Sequence, residues 1–289
     1  MGLLSRPARA SGFTIIEILV VLVIIAILLA MATALTRGIS SAQKRSVTAL
    51  RIAAVDAAIV QYVQKNRRLP CPSDGSIASG MPNAGVEAPT TGAPCTGAQA
   101  NGVVPWVTLG LSEADATDGW DRRLTYRVGG APAPSLSLAA ANAMNMSQCD
   151  PAGTGLVDPA TGFCLAACVS TNLALCTRPD NFLANKGLEI RSTVGAVQMN
   201  PAVGTGAAYV VIAHGESGGG ALLNSGQLSS STTTDGGEEA KNYANLALQA
   251  YYVDDGISDV AGANHFDDTV SRPSVLSVIS KAALGPRSH

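Results

Sequence analysis

Residues Gly215, Glu216, Ser217, Gly218 and Gly219 fit the G-x-S-x-G spacing of a nucleophile elbow, in which a sharp strand-to-helix turn presents a serine to a general base. Asp254 and His265 follow in the chain order of a hydrolase triad, so Ser217 is a candidate nucleophile for acyl transfer. An elbow needs a helix directly after the serine, whereas this stretch continues GGGALLNSGQ, a poor helix start. The strand and helix alternation of a doubly wound hydrolase sheet is also missing upstream. The segment therefore reads as a glycine-rich turn leaving a buried strand. The same glycines lack the Lys and Ser/Thr of a phosphate loop.

A second group of chemistry-bearing residues is acidic. Asp254, Asp255, Asp259, Asp267 and Asp268 place five carboxylates within fifteen residues. Closely spaced hard oxygen ligands suit calcium, although the spacing is not that of an EF-hand and an acidic stretch also serves as a solvated face. The third group is the six cysteines, Cys71, Cys95, Cys149, Cys164, Cys168 and Cys176. Cys164 and Cys168 are four apart, but no pair is spaced CxxC and the nearest downstream histidine is His214, so a zinc centre fits poorly. Their even number suggests disulfides in an oxidising compartment. Cys71 with Cys95 is the favoured pair, because each lies in a proline-rich loop far from the next cysteine; the other four are left unassigned.

These residues must be positioned by a body poor in aromatic side chains. The chain has 289 residues, 47% hydrophobic, 14% charged and 4% aromatic, which excludes a disordered chain and calls for an aliphatic and alanine-rich core. The net charge of -2 gives no reason to expect a nucleic-acid partner. Charge is unevenly spread: residues 37–68 carry seven basic side chains against Asp56 alone, while residues 69–289 carry 10 basic and 19 acidic ones. A basic stalk thus joins an acidic body. Short strands are expected at residues 103–109, 124–128, 187–191 and 207–213, short helices at 139–146 and 238–247, and a surface loop at 229–237. Trp120 and Tyr126 are expected to act as buried packing anchors.

The N-terminus is the most informative region. Residues 13–35 form a 23-residue stretch with one charge, about 35 Å long as a helix and enough to cross a bilayer. A signal peptide would place a small-residue cleavage site after the apolar run. Here a short leader with Arg6 and Arg9 instead ends in Gly12, directly before it. Glu17 lies inside the apolar run, where an ionised carboxylate costs a few kcal/mol and calls for a partner. The helical pattern continues through Ile39, Val47, Leu50, Val55, Ile59 and Tyr62, so a single helix is expected from Phe13 to near Asn66, ended by Pro70. Basic residues flanking the span are more numerous after it than before it, which by the positive-inside rule would hold the body in the cytoplasm. Long domains translocate largely regardless of flanking charge, and the cysteines favour the other side.

Gly12, Phe13, Thr14, Glu17 and the aliphatic run Ile18 to Ala32 resemble the N-terminal motif of the type IV pilin-like proteins, which include major and minor pilins and the pseudopilins of type II secretion. The segments LPCPSDG, VPWVTLGL, DGWDRRLTYRV, YVVIAHGESGGGA and HFDDTV resemble, more loosely, parts of large members of that family. The resemblance implies cleavage after Gly12 by prepilin peptidase, N-methylation of Phe13, and pairing of Glu17 with the N-terminal amine of a neighbouring subunit.

It further implies an α+β fold, with a long N-terminal helix packed on an antiparallel β-sheet body carrying long disulfide-stapled loops. The expected organisation is a leader at 1–12, a transmembrane half-helix at 13–35, an amphipathic half-helix at 36–66 and a periplasmic body at 67–289. The expected partners are prepilin peptidase, other pilin-like subunits and inner-membrane lipid; no cofactor is implied beyond the calcium option. The alternatives are a hydrolase with Ser217 as nucleophile carried on a pilin-like anchor, and an adhesin that binds a surface ligand.

Overall fold

The computed structural model describes residues 15–88, 95, 100–129, 136–137, 143–146, 182–229, 237–258, 260, 262 and 265–285, with backbone alone for 31–39. Helix α1 (Ile15–Asn66) runs for 52 residues. Its sequence contains no proline, and it stops where Arg67 turns into the left-handed region at φ 56, three residues before Pro70. The chain divides into two compact units, Met1–Gln43 and Lys44–His289.

In the first unit the large apolar side chains from Ile15 to Leu29 are exposed, from 87% at Ile15 to 46% at Ile25. In the second unit the elements in chain order are β1 (Ser73–Asp74), β2 (Gly102–Val103), α2 (Trp106–Leu109), β3 (Arg122–Arg123), β4 (Thr125–Val128), β5 (Ile190–Arg191), β6 (Val197–Met199), β7 (Tyr209–Ala213), β8 (Leu222–Leu223), β9 (Tyr252–Val253), β10 (Thr269–Ser271) and α3 (Val275–Lys281). The principal sheet is antiparallel, in the order β1-β2-β4-β7-β10. A two-stranded sheet pairs β3 with β8, and a three-stranded sheet runs β6-β5-β9, with β5 and β9 parallel.

The two central strands show why the sheet sits where it does. Every residue of β4 and β7 is buried, as expected of strands covered on both faces. One face, carrying Leu124, Tyr126, Val128, Tyr209 and Val211, shares a core with Ile52, Val55, Ile59 and Val63 of α1. Those helix positions are three or four apart and form one stripe. Val278 and Ile279 of α3 close the same core. The opposite face, with Val210 and Ile212, packs on Ile190, Met199 and Tyr252 of the small sheet. The architecture is α+β.

Several expectations from the sequence change in detail. The expected strand at 103–109 ends at Val103; Pro105 cannot donate to a ladder, and α2 follows, closed by Gly110 in a left-handed turn at φ 72. The expected helix at 238–247 is a single 3-10 turn, Glu238–Asn242; of the expected helix at 139–146 only 143–146 are described, as a turn, and of the expected loop at 229–237 residues 230–236 lie outside the described residues. Trp120 is only half-buried, with the Lys44 ammonium 5.8 Å from its ring centroid. Trp106, 5% exposed, is the buried tryptophan, and Tyr126 is fully buried with its hydroxyl donating to the Pro70 carbonyl.

Candidate functional site

The N-terminal site is made by what surrounds Glu17. It lies in the first turn of the described helix, among Ile15, Ile16, Ile18 and Leu19, all more than half exposed. Gly12 and Phe13 lie outside the described residues. Residues Ile15–Ala30 form an apolar helical stretch, and Ser40–Asn66, with mean hydropathy 1.4, is long and apolar enough to cross a membrane by composition alone. The second stretch is nevertheless a core helix: it carries Lys44, Arg45, Arg51, Asp56 and Lys65, and its buried stripe packs on the sheet. The exposed aliphatic surface belongs to Ile15–Ala30.

In the body, three distant segments converge around Ser217. The turn after β7 requires Gly215 at φ 51, and a side chain there would run into the backbone and carboxylate of Asp267. Ser217 donates its backbone N–H to Asp267 Oδ2 at 2.7 Å and its hydroxyl to Oδ1 at 2.9 Å. Glu239, from the 3-10 turn, accepts the Asp267 backbone N–H at 2.8 Å and faces His265 Nδ1 at 2.9 Å. Burial pushes the Glu239 carboxyl above its usual range, the hydrogen bonds from His265 and Asp267 pull it back, and the Asp267 charge adds to the rise. Ser217 is thus bonded to a carboxylate, His265 faces Glu239, and Gly218 continues as a turn at φ 69 in place of the elbow's helix.

The candidate calcium residues engage separate partners. Asp254 pairs with Arg272, Asp255 accepts from the backbone and hydroxyl of Thr193, Asp267 holds Ser217, and Asp268 accepts from Asn242. Asp259 lies outside the described residues. Cys71 and Cys95 form a disulfide with Cα atoms 5.4 Å apart. Cys149, Cys164, Cys168 and Cys176 also lie outside the described residues.

The other sequence segments singled out meet on this framework. In DGWDRRLTYRV, Asp118 Oδ1 accepts from the backbones of Trp120 and Arg122, closing a tight turn against α1. Gly119 must be glycine there, because a Cβ would strike the Lys44 carbonyl. Arg122 reaches the Gly215 carbonyl at 2.6 Å, steadying the turn that carries Ser217. Arg123 is buried against Glu113 and the carbonyls of Gly75 and Ile77. Arg127 is buried and donates to the carbonyls of Gly102 and Ala244, and burial lowers its pKa. After LPCPSDG begins at Leu69, Cys71 N–H and the Arg68 guanidinium both bind Glu87. Sequence reasoning missed Glu239, Glu87 and the buried arginines, since their partners are remote in the chain and local spacing carries no trace of them.

No curated protein and no solved structure matches this chain. Residues 7–33 match the family model for the prokaryotic N-terminal methylation motif. The matched stretch contains Gly12, Phe13 and Glu17 and runs into the exposed aliphatic helix, so the chain carries a motif consistent with a type IV pilin-like protein.

Proposed function

We propose that this chain is a structural subunit of a pilin-like filament, either a minor pilin of a type IV pilus or a pseudopilin of type II secretion. The observation that carries the reading is the methylation motif at residues 7–33, continuous with a helix whose apolar side chains from Ile15 to Leu29 are exposed. Aliphatic surface covering every side of a helix is stable only in lipid or against other apolar helices. In this reading residues 1–12 are a leader removed by prepilin peptidase, 13–35 cross the inner membrane, 36–66 continue into the body, and 67–289 lie in the periplasm.

The chemistry assigned to three residues follows. Gly12 presents the scissile bond to the peptidase. Cleavage frees the amine of Phe13, which is then N-methylated. Glu17 supplies the carboxylate that meets the amine of a neighbouring subunit, an opposite charge being what a carboxylate in lipid requires. The large, loop-rich body favours a minor component over a subunit repeated along a whole filament.

The deciding experiment is mass spectrometry of the mature N-terminus. The expected product begins at N-methylated Phe13, and Gly12→Ala leaves the precursor uncut. An intact leader in a host with active prepilin peptidase, or a mature start beyond Leu35, overturns the reading. Glu17→Leu is expected to be inserted and cut normally but to lose crosslinking to partner pilins; equal crosslinking removes the pairing role.

A further inference from the structure

The geometry points to a transition-metal site formed by Glu239, His265 and Asp267, and we propose that it binds a borderline divalent cation such as Zn2+. One ligand atom from each residue lies within 4.8 Å of the other two. They come from two places: Glu239 from the 3-10 turn, and His265 and Asp267 on either side of Phe266, which bridges to Ser258 on the chain that leads into β10. A two-residue step along an extended strand puts both side chains on one face. Glu239 and Asp267 are buried, while the His265 side chain is 15% exposed and leaves a route from solvent.

Two carboxylates gathered in a buried place against one imidazole have an excess of negative charge, and a dication in contact with all three cancels it. The donor set also selects the metal. One ring nitrogen with two carboxylate oxygens suits Zn2+ or a neighbouring first-row ion, whereas Ca2+ and Mg2+ favour oxygen alone. This set differs from the five aspartates suggested by the sequence; only Asp267 is common to both.

The surroundings hold the ligands in place in the manner of an outer coordination shell. Glu239 Oε1 is fixed by the Asp267 backbone N–H, which leaves Oε2 directed to His265 Nδ1. Asp267 is oriented by the N–H and hydroxyl of Ser217. Such partners tune affinity without binding the ion. Ser217, the residue that resembled a nucleophile, becomes a positioning residue for Asp267. A bound ion would tie the 3-10 turn to the start of β10 and stabilise the body by linkage.

The test uses the full chain in detergent, stripped with EDTA and dialysed against Zn2+ or Co2+. Wild type is expected to retain a metal equivalent that His265→Ala and Asp267→Asn lose, with Co2+ giving d–d bands that also disappear in the variants. Thiolate charge-transfer bands that persist in both variants would assign the metal to cysteines and overturn the proposal. Ser217→Ala is expected to weaken affinity by about 10- to 100-fold without abolishing binding. Should His265→Ala fail to fold by circular dichroism, His265→Gln and Asp267→Asn carry the same test. No uptake by wild type, uptake of Ca2+ alone, or equal uptake by folded variants overturns the site.

Discussion

The two ends of α1 differ in aliphatic content and meet opposite fates. Ile15–Ala30 is apolar on every side and its side chains are exposed, whereas Ile52, Val55, Ile59 and Val63 are buried in the body core, at 6% exposure or less. Between Lys44 and Lys65 the residues outside this stripe are mostly alanine, polar or charged, with Leu50 a large apolar side chain left 71% exposed, so only one stripe needs covering, and β4 with β7 covers it. Between Ile15 and Ala30 there is one charge and no polar face, so no single protein surface could satisfy the helix. The density of aliphatic side chains separates the two halves: every residue from Ile15 to Ala30 except Glu17 is aliphatic, whereas from Ser40 to Asn66 only 13 of 27 are.

Ile59→Ala and Ile24→Ala test that contrast most strongly. Loss of Ile59 from the core should destabilise the body by about 2–5 kcal/mol. Ile24→Ala should leave the denaturant midpoint of the body unchanged. Equal effects in equilibrium unfolding would erase the distinction between the two halves.

Reduction of the Cys71–Cys95 bridge, which spans a sequence separation of 24, should cost about 3 kcal/mol in the chain-entropy model. Unfolding with and without reductant, with Cys71→Ser/Cys95→Ser as control, measures it. The loss is expected in the body alone, with membrane insertion unaffected.

A smaller and pH-dependent effect comes from His214. Burial, followed by the charges of Arg122 and Arg127, holds its imidazole down to about 3, against an ordinary value of 6.5. A histidine with a depressed folded pKa contributes stability that is fully present above 6.5 and is lost as pH falls from there toward 3, because the unfolded chain takes up the proton first. Unfolding free energy should therefore decline over that window, and His214→Gln should flatten the slope.

The smallest expected effect lies at Asp56, which α1 presents to Tyr209 and Ser271. Burial raises its carboxyl pKa even though Tyr209 and Ser271 donate hydrogen bonds to it. The raised value means that Asp56 favours the folded state most below its unfolded pKa, and that this contribution is lost as pH rises through the folded value. Asp56→Asn should slightly raise stability at neutral pH. A decrease would show that the two hydroxyl hydrogen bonds outweigh burial.

The sequence made legible whatever is encoded locally. The extent of α1 follows from an uninterrupted aliphatic pattern ending near Pro70, and β4 and β7 follow from dense Val, Ile and Tyr. The Cys71–Cys95 bridge joins two loop cysteines whose isolation along the chain had singled them out. Hidden were features that depend on long-range closure. Ser217 was conspicuous by its glycines, but its partner Asp267 is fifty residues away and Glu239 belongs to a turn with no motif. The short strands β1, β2, β5 and β9 carry too few residues to show a period, and Pro105 converts an apolar run into a turn of helix. Buried arginines are invisible for another reason: Arg127 donates to backbone carbonyls, which any sequence supplies, and Arg123 divides its bonds between carbonyls and the side chains of Glu113 and Ser79.

The contacts near Lys44 have a mechanical consequence. Thr48 accepts the Gly119 N–H at 2.9 Å, Arg51 donates to the Asp118 carbonyl at 2.8 Å, and the Lys44 ammonium lies over Trp120. These attachments lie side by side along about two turns of α1. Tension applied along the helix axis loads them in parallel, as shear, and they must yield together instead of peeling off one by one. The turn from Thr117 to Trp120 is therefore a rivet line, at which a pull on α1 is shared among several weak bonds before it reaches the apolar core.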